Sequence, residues 1–349
     1  MTMKSYFRCQ MYDVRCMVYE WKNKLSYIIY LTSYIMFFSC TDQKKNDGDN
    51  FFLKANLTLQ EDEYKEAIRL YTEAIEKLPD LADAYCNRGI AHLKNEEPDL
   101  ALADFNRAIE IDGDFADAYF NRAGLLIDQD DFKAARQDLD RINKIYKDSA
   151  DYYVKWGDLK QKENGTDAAI AEYDRALTLN PRNVQALVNR GVAYYKKKQS
   201  KAAQADFEAA IKINPNQDFA LNNLGLIYAN QGQLEKATTL IDKALSIDLT
   251  NPFYINNKSY VLLLQSKLNE AKTLIDRVVE RNTANSYTYR NLGIYYLKTN
   301  QLPKAVSSLE KAYNLDPTTE RIHEFYAEAL TRSGQMAKAK QILAISKRL

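Results

Sequence analysis

Histidine is almost missing from this chain, with 2 among 349 residues. A metal centre or an acid–base pair built on imidazole has little to draw on. Glycine and proline are scarce too, 11 and 7, together about 5% of the chain where ordinary usage is about 12%. So few turn formers leave little room for the hairpins of an all-β protein and favour long helices joined tightly. Neither charge is in excess: 48 Lys and Arg face 47 Asp and Glu, a formal charge of +1. Without a basic excess or stripe, nucleic acid is not expected as a partner. Signatures of chemistry are lacking as well, since no G-x-x-x-x-G-K-[ST], H-E-x-x-H, C-x-x-C or G-x-S-x-G occurs. The chain is read as non-enzymatic, with no cofactor, no metal and no small-molecule substrate.

What is present is repetition. Blocks of 34 residues starting at 48, 82, 116, 150, 184, 218, 252, 286 and 320 align without insertion or deletion, the last stopping four residues short. Position 20 of the block is Ala in all nine, from Ala67 and Ala101 through Ala305 and Ala339. Position 8 is always small, as in Gly89, Gly157, Ser259 and Ala327, and position 24 is always large and apolar, as in Tyr71, Phe105, Ile241 and Leu343. A period of this length marks stacked supersecondary units, not an ordinary globular core.

Each block reads as two short helices, A and B. Positions 4, 8 and 11 share one face of A, and positions 20, 24 and 27 share one face of B. Small residues at 8 and 20 let the backbones approach, while large side chains at 4, 11 and 24 fill the flanks. Turn residues such as Asn164-Gly165 and Gly232 separate A from B. Pro98 and Pro303 fall in the first turn of B, where a missing N–H does no harm. Pro79-Asp80 and Pro215-Asn216 are expected to stop B and cap the next A.

With these residues in view, the chain resembles the tetratricopeptide-repeat (TPR) family over residues 48–349. The resemblance implies an all-α fold: an α-solenoid of nine helix-turn-helix repeats wound into a right-handed superhelix with a long concave groove. It also implies a protein or peptide partner.

The first 47 residues read differently. Residues 25–39 carry no charge, Lys22 and Lys24 precede them, and Cys40 follows. Fifteen residues are short for a span of about 20 and suit the core of a signal peptide. The end, Phe37-Phe38-Ser39-Cys40, resembles a bacterial lipobox, so residues 1–39 are expected to be removed and Cys40 lipidated. Met17 is an alternative start that gives a more conventional signal, and an uncleaved anchor is the competing reading. Residues 40–47 would then be a polar tether, and the protein would face the periplasm of a bacterial envelope, on the outer membrane in preference to the inner. Cys86 would be a lone thiol in the mature chain, read as a small helix filler.

Two surface features follow the register. Position 6 is Asn in Asn87, Asn121, Asn189, Asn223, Asn257 and Asn291. In the family this position faces the inside of the superhelix, and the series resembles the asparagine ladder of O-linked GlcNAc transferase repeats, which implies hydrogen bonds to an extended peptide. The plainer alternative is that Asn is simply common there. Apolar or aromatic residues at neighbouring positions, Phe219, Phe253, Tyr287 and Tyr260, extend the expected groove. Asp83, Asp117 and Asp151 at position 2 either meet a basic peptide or, the preferred reading, complement the helix dipole. The second feature is a covariation. Where position 7 is Arg, as in Arg88, Arg122 and Arg190, position 23 is Asp, as in Asp104, Asp138 and Asp206. These pairs are expected to bridge A to B, or one repeat to its neighbour, as partly buried structural contacts.

The leading functional expectation is a lipid-anchored scaffold that holds an extended peptide or partner helix in its groove. An assembly subunit acting through its convex face or a C-terminal edge of Ile342, Ile345 and Leu349 is the alternative, and a cytoplasmic adaptor is a third. A clamp for acidic C-termini is not expected, since position 5 reads Phe52, Cys86, Phe120, Val154 and Val188.

Overall fold

The computed structural model describes residues 43–346. The apolar run 25–39, Cys40 and Leu349 lie outside them. Among the described residues the regular structure is entirely helical. It divides into two compact units, with the boundary between Tyr146 and Lys147.

The first unit holds three repeats. Its helices are α1 (residues 43–60), α2 (Tyr64–Lys77), α3 (Ala82–Lys94), α4 (Pro98–Ile111), α5 (Ala116–Asp128) and α6 (Phe132–Tyr146). Residues 43–47, expected as a tether, instead continue α1 as an exposed turn. The second unit holds six repeats: α7 (Ala150–Lys162), α8 (Thr166–Leu179), α9 (Val184–Lys196), α10 (Ser200–Ile213), α11 (Asp218–Asn230) and α12 (Leu234–Ile247). It continues with α13 (Pro252–Leu264), α14 (Leu268–Glu280), α15 (Ser286–Lys298), α16 (Leu302–Leu315), α17 (Ile322–Arg332) and α18 (Met336–Ser346). Odd-numbered helices are A and even-numbered ones B.

Packing follows the register. The position-20 alanines of repeats 1–8, Ala67 to Ala305, are fully buried, and so are Tyr71, Phe105, Leu139, Phe207, Ile241, Ile275 and Leu309 at position 24. The two positions meet position 8 across the hairpin. A Cβ added to Gly157 would lie 2.3 Å from Tyr173, and one added to Gly191 would lie 2.7 Å from Phe207. Glycine at 8 is thus what lets a ring at 24 lie against the A helix.

The hairpin corner is set by backbone rather than by glycine. Position 15 is left-handed in every repeat: Asp62, Glu96, Asp130, Asn164, Lys198, Gly232, Ser266, Asn300 and Gly334. The following N–H closes back on the A helix, as in Glu97 N to His92 O (2.9 Å) and Gln301 N to Tyr296 O (2.8 Å). This is a Schellman closure, and it satisfies carbonyls that the helix end would otherwise leave bare.

The expected caps at Asp80 and Asn216 are not formed. The N-cap residues are Leu81 and Gln217, neither with a side-chain cap bond. Side-chain caps come one residue before the helix, from Asn183, Asn251 and Asn285. An Asn or Asp two residues back lies beyond reach of the second and third helical N–H groups.

Candidate functional site

The Arg–Asp pairs form as expected. Asp104 accepts from Arg88 Nε (2.8 Å) and Nη2 (2.7 Å), Asp138 from Arg122 (2.8 and 2.6 Å), and Asp206 from Arg190 (2.8 and 2.7 Å). Each guanidinium also extends a third arm to the B helix of the preceding repeat: Thr72 Oγ1 (3.1 Å), Asn106 Oδ1 (2.6 Å) and Asp174 Oδ1 (2.6 Å). These acceptors all occupy position 25. One Arg therefore ties the two helices of its own repeat and the junction to the one before. Lys258, at position 7 of repeat 7, keeps only the second tie, to Asp242 (2.7 Å). The three Asp residues are buried, and bidentate geometry meets their acceptor needs.

The asparagine series is largely consumed by the fold. Asn87 donates to Asn56 Oδ1 (2.9 Å), Asn189 to Asp158 Oδ1 (2.6 Å) and Asn257 to Asn222 Oδ1 (3.0 Å). Asn291 donates to Asn256 O (2.7 Å) and Ser259 Oγ (2.9 Å). In each case the acceptor belongs to the A helix of the preceding repeat. Asn257 and Asn291 are buried, so neither reaches a groove ligand. Neighbouring A helices approach so closely there that position 6 lies between them. Asn121 and Asn223 are half-buried and donate to their own helix, to Asp117 O (2.9 Å) and Phe219 O (2.8 Å).

The expected aromatic lining also divides. Tyr260 is 0% exposed, and Tyr287 is half-buried beside Arg290; the first is a core residue, not a groove wall. Phe219 and Phe253, by contrast, are 54% and 55% exposed. They occupy the same position in successive repeats, and Asn223 lies one turn along from Phe219. Of the acidic position-2 residues, Asp117 accepts from Tyr146 Oη at the end of its own repeat and Asp151 from Nδ2 of Asn183 (2.8 Å), the N-cap of α9, so both are engaged by the fold. Asp83 is exposed.

Cys86 is buried, with Asn121 Nδ2 3.8 Å from its sulfur, and burial raises its thiol to about 12. That is a filler, not a nucleophile. At the C-terminal edge Ile342 is in the core, whereas Met336, Leu343 and Ile345 are exposed. Among the described residues no helix is long and apolar enough to cross a membrane, and no group of His, Cys, Asp and Glu is placed to hold a metal.

Sequence reasoning missed one cluster. Asn230, Tyr260, Arg290 and Glu320 stand 30 residues apart, one helical turn less than the repeat, so they descend diagonally across the A helices of repeats 6–8 to the turn that precedes α17. Asn230 Nδ2 donates to Glu320 Oε1 (2.7 Å), as does Tyr195 Oη (2.5 Å). Arg290 is 0% exposed, lies over the Tyr260 ring (4.5 Å from its centroid), and donates to Glu320 O (2.9 Å) and Asn291 Oδ1 (3.0 and 3.1 Å). The available signal was position 5, which turns polar after repeat 5 as Asn222, Asn256 and Arg290.

Known proteins place this geometry. Profiles of the tetratricopeptide repeat match residues 82–115, 154–218, 207–239 and 287–319, and a TPR repeat profile matches 55–96. No curated protein matches. Among solved structures, the APC/C hetero-tetramer Cut9-Hcn1 is similar at TM-score 0.59 and 14% identity, over 86% of this chain and 74% of that one. A tetratricopeptide repeat protein from Parabacteroides merdae ATCC 43184 reaches TM-score 0.41 at 16% identity, over 82% and 99%. YrrB, a TPR protein with an unusual peptide-binding site, reaches 0.37 at 24%, over 54% and 97%. At such identities the likeness to the first speaks for the fold alone. The 34-residue register, its realisation as stacked hairpins and the profiles that follow it together make this chain a member of the tetratricopeptide-repeat family.

Proposed function

We propose that this protein is a non-enzymatic scaffold that holds an extended segment of a protein partner along repeats 6 and 7. The observation that carries this reading is the pair Phe219 and Phe253, exposed side by side at one register position, with Asn223 one turn from the first. Exposed aromatics repeating along a solenoid offer apolar anchors, and the Asn223 carboxamide offers a polar contact between them. The partner segment therefore carries apolar side chains at a spacing that matches consecutive repeats. A photocrosslinker placed at Phe219 or Phe253 in cells is expected to give a discrete adduct, while one at exposed Leu179 gives none. Equal adducts at all three positions, or none, refute the reading.

The anchor belongs to the same proposal. Support comes from the uncharged run 25–39 and from Ser39-Cys40 directly after Phe38. Fatty-acid labelling of the wild type but not of Cys40→Ala is the expected result, in a bacterial envelope with the repeats on the periplasmic side. Labelling that survives Cys40→Ala removes the anchor from the proposal. A second reading, assembly through the C-terminal edge, is favoured by exposed Met336, Leu343 and Ile345 on α18. Concentration-dependent self-association lost in Leu343→Asp separates the two.

A further inference from the structure

In a solenoid each repeat touches its neighbours. Repeat 9 departs from that rule, because Glu320 bonds to Tyr195 of repeat 5 and Asn230 of repeat 6. Arg321 reinforces the reach by donating to Tyr260 Oη of repeat 7 (3.1 Å).

The backbone is bent to serve this contact. The A helices of repeats 2–8 begin at the first position of the block, from Ala82 to Ser286, whereas α17 begins at Ile322, the third. Glu320 and Arg321 are withheld from the helix, and Arg321 is left-handed at φ 58°. A non-glycine residue adopts that conformation at a cost, which persists only where surrounding contacts hold it.

The receiving side is chemically specific. Tyr195 and Asn230 converge as donors on the Glu320 carboxylate, and Arg290, from a third A helix, donates to the Glu320 main-chain carbonyl beside it. Arg290 is wholly buried between the rings of Tyr260 and Tyr287 (4.5 and 5.3 Å), and among the described residues its hydrogen bonds go to the Asn291 carboxamide and the Glu320 main chain, not to a carboxylate. Glu320 itself uses one oxygen only, and its Oε2 is buried without a hydrogen-bond partner. The Glu320 charge acts on Arg290 without a direct ion pair, and a buried cation held that way beside a half-bonded carboxylate marks a socket that its present occupant fills incompletely.

We propose that the Tyr195–Asn230–Tyr260–Arg290 socket is a carboxylate-recognition site, and that Glu320 occupies it in cis. The ligand class is an acidic side chain on an extended peptide, the chemical form of Glu320 in its own segment. Repeat 9 is then a latch over the A helices of repeats 5–8, opened when a partner's Glu or Asp takes the socket. A tethered occupant acts at high effective concentration, so it lowers the apparent affinity for a free competitor by the fraction of molecules that are open. This site shares no residue with Phe219, Asn223 and Phe253, and its test is independent of theirs.

The test uses the full chain and two fluorescein-labelled heptapeptides: Asp-Pro-Thr-Thr-Glu-Arg-Ile, the sequence of residues 316–322, and the same peptide with Gln for Glu. Glu320→Gln keeps the shape of the side chain and removes its charge. By fluorescence anisotropy this variant is expected to bind the acidic peptide at least tenfold more tightly than wild type does, and at least tenfold more tightly than it binds the Gln peptide. Adding Asn230→Asp, at an exposed position, to the same variant should abolish the gain by setting a like charge in the socket. Amide exchange in residues 195–198 should rise at least tenfold in Glu320→Gln. Equal binding by wild type and variant, equal binding of the two peptides, or unchanged exchange overturns the proposal.

Discussion

Removing the Asp138 carboxylate while leaving Arg122 in place tests the clamp between repeats most directly. Asp138 accepts from two guanidinium nitrogens at 2.8 and 2.6 Å, and the Arg122 side chain is only 20% exposed. After Asp138→Ala the cation keeps its bond to Asn106 and its place over the Tyr119 ring, but it loses its counter-charge. Breaking a buried pair costs about 3–5 kcal/mol, and partial access to water puts this case near the lower end, about 3 kcal/mol. The chain itself shows the compensated alternative, since repeat 6 has Leu224 and Leu240 at the two positions. The double variant Arg122→Leu/Asp138→Leu is therefore expected within about 1 kcal/mol of wild type, well short of the cost of Asp138→Ala alone. Repeat arrays unfold in parts, so the assay is native-state hydrogen exchange of α5 and α6 amides. There, 3 kcal/mol is about a hundredfold increase in opening. A single variant costing under about 1 kcal/mol, or a double variant as damaged as Asp138→Ala, refutes the argument.

Three further outcomes are expected. Gly157→Ala should destabilise repeat 4 by about 1–2 kcal/mol in spite of better helix propensity, because the new methyl meets the Tyr173 ring at 2.3 Å and Tyr173 is held by its bond to Asp158. Gly113→Ala, with nothing within 4 Å, should be neutral in the same thermal-melt comparison. Burial, and then the charge of Lys198, lower the pKa of His323, so the folded chain binds fewer protons than the unfolded one below the ordinary histidine value. The stability it contributes is complete above that value and is lost as pH falls through the depressed one. The urea midpoint should accordingly drop between pH 7 and 5, and His323→Gln should flatten the drop; an identical pH profile in both proteins would contradict this. Cys86 should ignore a thiol reagent at pH 8 in the native chain and react once urea is added, and prompt native labelling would disprove its burial.

The repeats and their Arg–Asp clamps were legible because stacking imposes the same demand every 34 residues. Ala at 20 and a small residue at 8 meet that demand in every repeat, and paired charges at 7 and 23 are one of the few ways to meet it where the helices join. The fate of the asparagines was not legible. A carboxamide facing a neighbouring helix and one facing a ligand leave the same letter in the sequence. Asn291 is buried and bonded to the preceding A helix, whereas Asn223 is half-buried and bonded to its own, and the same residue type stands at both places. The cluster around Arg290 was hidden for another reason. Its members share no residue type and follow a 30-residue diagonal, so an alignment in columns of 34 scatters them. The left-handed corners escaped in seven of nine repeats, because the Schellman bonds fix the backbone whatever side chain is there.

The contact of Glu320 with Tyr195 and Asn230 also has a mechanical meaning. In an open spring, tension applied at one end passes through every coil in turn. Here a pull on α18 reaches repeats 5 and 6 by two parallel routes, one through the hairpins of repeats 7 and 8 and one through the Glu320 carboxylate. The shorter route takes the load first. Repeats 7 and 8 are thereby spared until that side chain yields, so the array answers small forces stiffly and larger ones by lengthening.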